Sequence, residues 1–166
     1  LLDCADGVVV QNPSLPTHYS IRAVAREEER AVRDLISSTF SLDSSWSDVY
    51  MTFRDSLDQQ LEGSFMREPV PALVITHGQR IIAASALNSD ADAETTLVSG
   101  PCVLPEYHNR GFGTALLLGS LLQLRQSGLQ KCRGICKDLV VAARFVYPKF
   151  DATSEPYEFI PLPVQQ

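Results

Sequence analysis

The sequence predicts an α/β fold of the mixed α+β kind, a sheet with helices packed on both faces. Two amphipathic helical stretches come early, three strand-like runs follow in series, and strand and helix then alternate. A chain of 166 residues favours one compact domain, and 45% hydrophobic residues supply enough apolar mass for its core.

The elements follow in order. Residues 1–17 hold a short apolar run, Val8-Val9-Val10, then Pro13 and Pro16, and read as an extended arm or edge strand. Residues 19–24 alternate as a first strand. Residues 27–40 have helical spacing, with Ala31, Val32, Leu35, Ile36 and Phe40 on one side. After a polar break at 41–45, Trp46, Val49, Tyr50, Phe53, Leu57 and Leu61 recur at helical spacing, and Gly63 marks the expected end. Trp46, Tyr50 and Phe53 share a face, for which core packing is the better expectation and substrate contact the alternative.

Residues 72–76 and 81–87 read as two strands of a hairpin turning at His77-Gly78. Residues 95–103 form another strand, broken by Gly100-Pro101, and proline there predicts a bulge or an edge. A helix is expected over 114–126 with Gly128 as its cap, a strand over 130–136, a helix over 138–147 and a last short strand over 157–160. The resulting order is β-α-α-β-β-β-α-β-α-β.

Bulk chemistry removes several function classes. Fourteen Lys and Arg against 20 Asp and Glu give a net charge of −6, which disfavours nucleic acid and mildly favours cationic partners such as amines. No apolar run approaches the roughly 18 residues of a spanning helix, so no membrane role is expected. Cys4, Cys102, Cys132 and Cys136 lack zinc-site spacing and any nearby histidine cluster, so buried thiols in a reducing, cytoplasmic setting are expected and no metal. Cys132 and Cys136 on one strand would sit about 13 Å apart at roughly 3.3 Å per residue, too far to bridge. No basic segment precedes Leu1, so no signal peptide is expected, and a start other than Met suits a piece of a longer chain.

Chemistry concentrates in Val103-Leu104-Pro105-Glu106-Tyr107-His108-Asn109-Arg110-Gly111-Phe112-Gly113-Thr114-Ala115-Leu116-Leu117, which runs from a strand through a glycine turn into an apolar helix. The first amides of a helix have no internal partner, and the helix dipole places positive potential there. Gly111 and Gly113 let a pyrophosphate approach the backbone, and Arg110 or Asn109 adds a side-chain contact. An ordinary strand–turn–helix junction is the plain alternative. A dinucleotide fold is disfavoured because the third glycine of its fingerprint is absent.

The longer string resembles the acetyl-CoA motif of the GNAT superfamily of N-acetyltransferases: Val-x-Pro closing a fourth strand, then Gln/Arg-x-x-Gly-x-Gly/Ala. Val103-x-Pro105 matches the first part and His108-x-x-Gly111-x-Gly113 the second, with His108 replacing the usual Gln or Arg. Downstream, Ala143, Tyr147 and Lys149 match the family's Asn-x-x-Ala-x-x-x-Tyr and following Glu-Lys-Leu-Gly-Phe. Val140 stands in place of the Asn, Pro148 in place of Glu, and Asp151-Ala152 in place of Gly-Phe. The loss of that Asn removes a hydrogen-bonding side chain near the pantetheine arm.

The resemblance implies a mostly antiparallel mixed sheet flanked by about four helices, with residues 18–166 as one acetyltransferase domain behind the 1–17 arm. It implies acetyl-CoA as cosubstrate and acetyl transfer to a primary amine, on a small molecule or a protein, by direct attack. Cys102, Val103, His108, Asn109, Arg110, Gly111, Phe112, Gly113 and Thr114 would border the cofactor, mainly through backbone amides from about 110 to 114. Tyr147 would protonate the departing thiolate. No base is singled out: Glu68 and Glu94 read as solvated carboxylates, His18 and His77 as structural or solvent-facing, and a water chain is the alternative. The family closes with two strands where residues 151–166 offer one, which leaves room for a homodimer. A non-catalytic acyl-CoA-binding module is the competing function.

Overall fold

In this computed structural model, residues 2–3, 15–43, 50–90, 92–93, 95–135, 146–150 and 152–153 are described. A four-stranded antiparallel sheet is built in the order β2-β3-β4-β5, from β2 (Tyr19–Ala23), β3 (Ala72–His77), β4 (Arg80–Ala86) and β5 (Cys102–Val103). Two short strands, β1 (Leu2–Asp3) and β6 (Lys131–Cys132), pair antiparallel beside it. Helices α1 (Glu29–Leu42) and α2 (Tyr50–Phe65) precede the hairpin, and α3 (Phe112–Gln126) follows β5.

The sheet separates two apolar layers. Val32, Ile36 and Phe40 of α1 and Phe53, Leu57, Leu61 and Phe65 of α2 pack against Ala72, Val74, Ala84 and Cys102. On the other face, Phe112, Ala115 and Leu116 of α3 pack against Leu73, Ile75, Ile82 and Ala83. Ile82 and Ala83 are sequence neighbours on the same face because the register slips between Ile75 and Thr76. A residue added on one strand costs the alternation one step. One polar bridge crosses this layer, where Ser120 of α3 donates to the Ser85 hydroxyl at 3.1 Å, both buried.

The hairpin and α1 stand where the sequence places them. Four elements change their bounds. Helix α2 runs through Gly63 to Phe65, because Phe65 falls four residues after Leu61 on the same buried face. Burying a Phe side chain contributes about 2–3 kcal/mol, more than the roughly 1 kcal/mol a mid-helix glycine costs. Helix α3 begins at Phe112 rather than 114, with left-handed Gly111 (φ +81°) as N-cap and the Phe112 ring buried. Among the described residues, only Cys102–Val103 of the expected 95–103 strand is regular, and only Lys131–Cys132 of 130–136. Within the expected arm, Leu2–Asp3 pairs with Lys131–Cys132. Trp46, Val49, most of the 138–147 helix and the 157–160 strand lie outside the described residues.

The break in the 95–103 strand has a local cause. Val98 and Ser99 both donate their amides to the Ala86 carbonyl, two residues against one, which is a β-bulge. The Ser99 hydroxyl accepts from the Ala86 amide at 2.9 Å and donates to the Gly100 carbonyl at 3.1 Å. Gly100 then turns left-handed at φ +63° before Pro101, which has no amide to give to a ladder. N-terminal to the bulge, Thr96 and Leu97 donate to the Arg133 carbonyl, and the Arg133 amide donates to the Thr96 hydroxyl at 2.9 Å. Among the described residues, no further backbone bond joins residues 98–103 to the chain after Arg133.

Candidate active site

The β5–α3 junction curls tightly. After the Pro105–Tyr107 turn, Asn109 (φ +62°) and Gly111 (φ +81°) are both left-handed and bracket Arg110. Asparagine tolerates that region better than most side chains. The first bond of α3 runs from the Ala115 amide to the Gly111 carbonyl at 3.0 Å. Among the described residues, nothing accepts from the amides of Phe112 or Gly113. The first turn of α3 carries no acidic residue, and its N-cap has no side chain. The space above Gly111 is open, with no atom within 4 Å of where a Cβ would stand. Such a curled backbone with outward amides favours an anion.

Each expected site residue has a definite place. His108, Asn109, Arg110 and Gly111 are exposed along the turn, and Gly113 and Thr114 are half-buried in the first turn of α3. Val103 is half-buried and a Cβ on Gly113 would lie 4.0 Å from its side chain and 3.7 Å from that of Val146. This contact brings the end of β5, the start of α3 and the residue before Tyr147 together. Phe112 and Cys102 differ from the rest. Their side chains are buried in opposite layers, so only their backbones face the junction. Burial pushes the Cys102 thiol up to about 11, against the opposing hydrogen bonds of Thr39 and Ser99, so it remains a neutral thiol. Cys132 is also buried and free, while Cys4 and Cys136 lie outside the described residues.

Tyr147 opens a short turn at Tyr147–Phe150 and packs half-buried against the cluster of Leu87, Leu97, Leu117 and Leu121. Its hydroxyl reaches the bulge: a Cβ built on Gly100 would lie 2.7 Å from Tyr147 Oη.

Three features escape a reading of the sequence. His108 Nε2 donates to the Val103 carbonyl at 2.8 Å, tying the turn back to β5. A carbonyl only accepts, so the nitrogen carries the proton there. An aromatic group also surrounds the junction. Tyr19 stacks on His77 with centroids 4.4 Å apart, His77 Nδ1 lies 2.9 Å from the Tyr107 hydroxyl, and Tyr19 contacts Phe112 at 4.7 Å. The guanidiniums of Arg80 and Arg110 lie 5.8 and 5.4 Å from the Tyr107 ring centre. Tyr19, His77 and Tyr107 come from three separate stretches of the sequence. The third feature is Gly100 beside Tyr147.

The carboxylate Glu68 lies outside this constellation, exposed and paired with Arg26 at 2.7 Å, and Glu94 is outside the described residues. His18 is exposed, and His77 belongs to the aromatic group. A hollow of about 480 Å³ lined by Arg67, Pro71, Leu87, Gln123 and Leu124 sits at the far end of α3 and touches none of the expected site residues. Among the described residues, no cluster of His, Cys, Asp and Glu could hold a metal ion, and no helix is long and apolar enough to cross a membrane.

The fold and junction define the class as a mixed α/β scaffold with open backbone amides at the start of α3. The chain belongs to the acetyltransferase (GNAT) family, whose model matches residues 30–151. A GCN5-related N-acetyltransferase from Ralstonia eutropha JMP134 has a similar structure, with 15% identity, 87% of this chain and 98% of that one covered, and a TM-score of 0.55. At that identity the likeness shows the fold. YncA from Salmonella typhimurium, provisionally assigned as an acetyltransferase and solved with its cofactor acetyl-CoA, matches at 15% identity over 68% of this chain and 66% of its own, TM-score 0.49. A Drosophila protein matches at 21% identity over 78% of this chain, TM-score 0.45, and this chain spans 37% of its length. Among curated proteins, none matches the chain.

Proposed function

We propose that this chain is an acetyl-CoA-dependent N-acetyltransferase that moves an acetyl group to a primary amine by direct attack. The observation that carries the reading is the junction itself. The unpartnered amides of Phe112 and Gly113, the left-handed Asn109 and Gly111, and the exposed Arg110 form an anion cradle, at the end of a strand whose bulge meets the Tyr147 hydroxyl.

Bound there, acetyl-CoA would supply a thioester-activated acetyl group and a thiol leaving group. The amides from about 110 to 114 would hold the pyrophosphate, and Arg110 would add charge. The backbone of Cys102 and Val103 would align the pantetheine arm and the thioester carbonyl, an amide being the kind of fixed donor that stabilises developing negative charge. His108 would hold the Val103 carbonyl in place. Tyr147 Oη would hold the proton for the departing thiolate. A phenol ordinarily keeps its proton to about pH 10, so at neutral pH Tyr147 would carry a proton to give.

The working unit is residues 18–166, with 1–17 as an arm. The acceptor is a primary amine on a small molecule or a protein, and net charge −6 suits a cationic acceptor better than a nucleic acid. Buried free thiols suit a reducing, cytoplasmic setting. A homodimer remains part of the proposal, since short edge strands are open to pairing.

Calorimetric titration of acetyl-CoA, with dephospho-CoA and a free adenine nucleotide as controls, tests the cradle. Saturation near one per chain supports it, and no binding to any CoA ester sinks it. Release of CoA with a panel of amines then tests turnover. Binding without release would favour the non-catalytic acyl-CoA module. Tyr147→Phe should lower kcat about tenfold or more, the scale of a lost general acid, with acetyl-CoA affinity little changed. Unchanged turnover would remove Tyr147 from the chemistry.

A further inference from the structure

We propose that Gly100 is a positioning residue for Tyr147: the volume its missing side chain leaves is the volume the Tyr147 hydroxyl occupies. This rests on the acetyltransferase reading above. Gly100 is buried and left-handed, and an ideal Cβ on it would stand 2.7 Å from Tyr147 Oη. Non-bonded carbon and oxygen do not approach so closely, so any side chain at 100 forces one partner to move.

The backbone at Gly100 is the partner held more firmly, so the tyrosine side chain must give way, and its ring has little freedom to do so. On the Gly100 side, the bulge is pinned by the amides of Val98 and Ser99 on the Ala86 carbonyl and by the Ser99 hydroxyl between the Ala86 amide and the Gly100 carbonyl. The Cys102 thiol adds a bond to the Ser99 carbonyl at 3.5 Å. On the Tyr147 side, the ring is stiff, moves through two torsions only, and packs against the leucine cluster under α3. Its neighbour Val146 is held beside Gly113. The displacement therefore falls on the hydroxyl, the atom that would give up the proton. Misplacing a reacting group by about 1 Å can cost on the order of a hundredfold in rate.

Glycine is thus required at 100 on two counts that can be separated. The left-handed backbone disfavours any side chain whatever surrounds it. The contact with Oη is removed by deleting the oxygen. Gly100→Ala should lower kcat tenfold or more in the full chain, while acetyl-CoA affinity by calorimetry stays within about threefold. Placed on Tyr147→Phe, the same Gly100→Ala should change kcat by less than about threefold, because the hydroxyl it displaces is already gone. Melting temperature gives a readout independent of turnover: Gly100→Ala lowers it, and Tyr147→Phe restores part of that loss.

Equal losses of kcat from Gly100→Ala in both backgrounds, with no recovery of melting temperature, would overturn the proposal and leave the glycine a backbone requirement only. A wild-type chain that releases CoA with no amine would instead overturn the enzymatic reading. The melting temperatures of the four proteins would then still decide whether the glycine accommodates the hydroxyl.

Discussion

Before α1 the chain folds an acidic side chain back onto its own backbone, and before α3 it does not. Before α1, the Glu28 carboxylate accepts from the Ala25 amide at 3.0 Å and from both ends of the Arg22 guanidinium at 2.7 and 2.8 Å. Glu27, Glu28 and Glu29 crowd that region with negative charge, which the helix dipole favours. Before α3 stand a glycine and an arginine, with no acid in the first turn. Both helices follow a strand and bury an apolar face, so packing does not explain the difference. One end is finished as structure. The other is left open and without an acid, as the proposed anion site requires.

The largest effect should come from closing the open end by conformation. Gly111→Val puts a β-branched side chain at φ +81°, a strain of about 1–3 kcal/mol, and places methyls over the amides. Acetyl-CoA affinity should fall on the order of thirtyfold or more, read by calorimetry. Gly63→Val, in the exposed interior of α2 with nothing near its Cβ, is the matched control and should leave affinity alone. A similar affinity loss in both variants would erase the distinction between the glycines.

Charge should give a smaller effect of the same sign. Asn109→Asp keeps a side chain that tolerates the left-handed region but adds a negative charge to the cradle. Affinity should drop about tenfold at low salt, and less as salt screens the repulsion. Stability should hold or rise slightly, since an acid near a helix N-terminus interacts favourably with the dipole. Loss of affinity and of stability together would mean the turn had unfolded rather than changed charge.

The contrast between these two helix starts is only partly written in the sequence. The glycines, the Val-x-Pro and the bulge at Gly100-Pro101 are legible because each reflects a local backbone requirement. The end of α2 is not, since Gly63 reads as a stop until the buried position of Phe65 is known. The hydrogen bond of His108 to Val103 and the stack of Tyr19 on His77 depend on chain direction after a turn and across a sheet. Gly100 shows the boundary well. The break in the strand beside Pro101 is legible in the sequence, whereas the left-handed φ of Gly100 and its contact with a tyrosine 47 positions later exist only in three dimensions.

The smallest effect belongs to the finished end. The Arg22 guanidinium beside Glu28 holds its carboxyl at about 2, below the ordinary value near 4.3 in an unfolded chain. A depressed carboxyl binds its proton more weakly folded than unfolded, so its contribution is complete above about pH 4.3 and is lost as pH falls toward 2. The pair is partly solvated, with 43% of the Arg22 side chain exposed, and water limits its worth to about 1 kcal/mol or less. Glu28→Gln should therefore lower the melting temperature slightly at pH 7, and the gap to wild type should close toward pH 2. Acetyl-CoA affinity should not change, because Glu27, Glu28 and Glu29 set negative charge at this end, which repels an anion. An affinity loss in Glu28→Gln matching that of Asn109→Asp would mean that the two helix starts are coupled, and the division between a structural end and a binding end would fail.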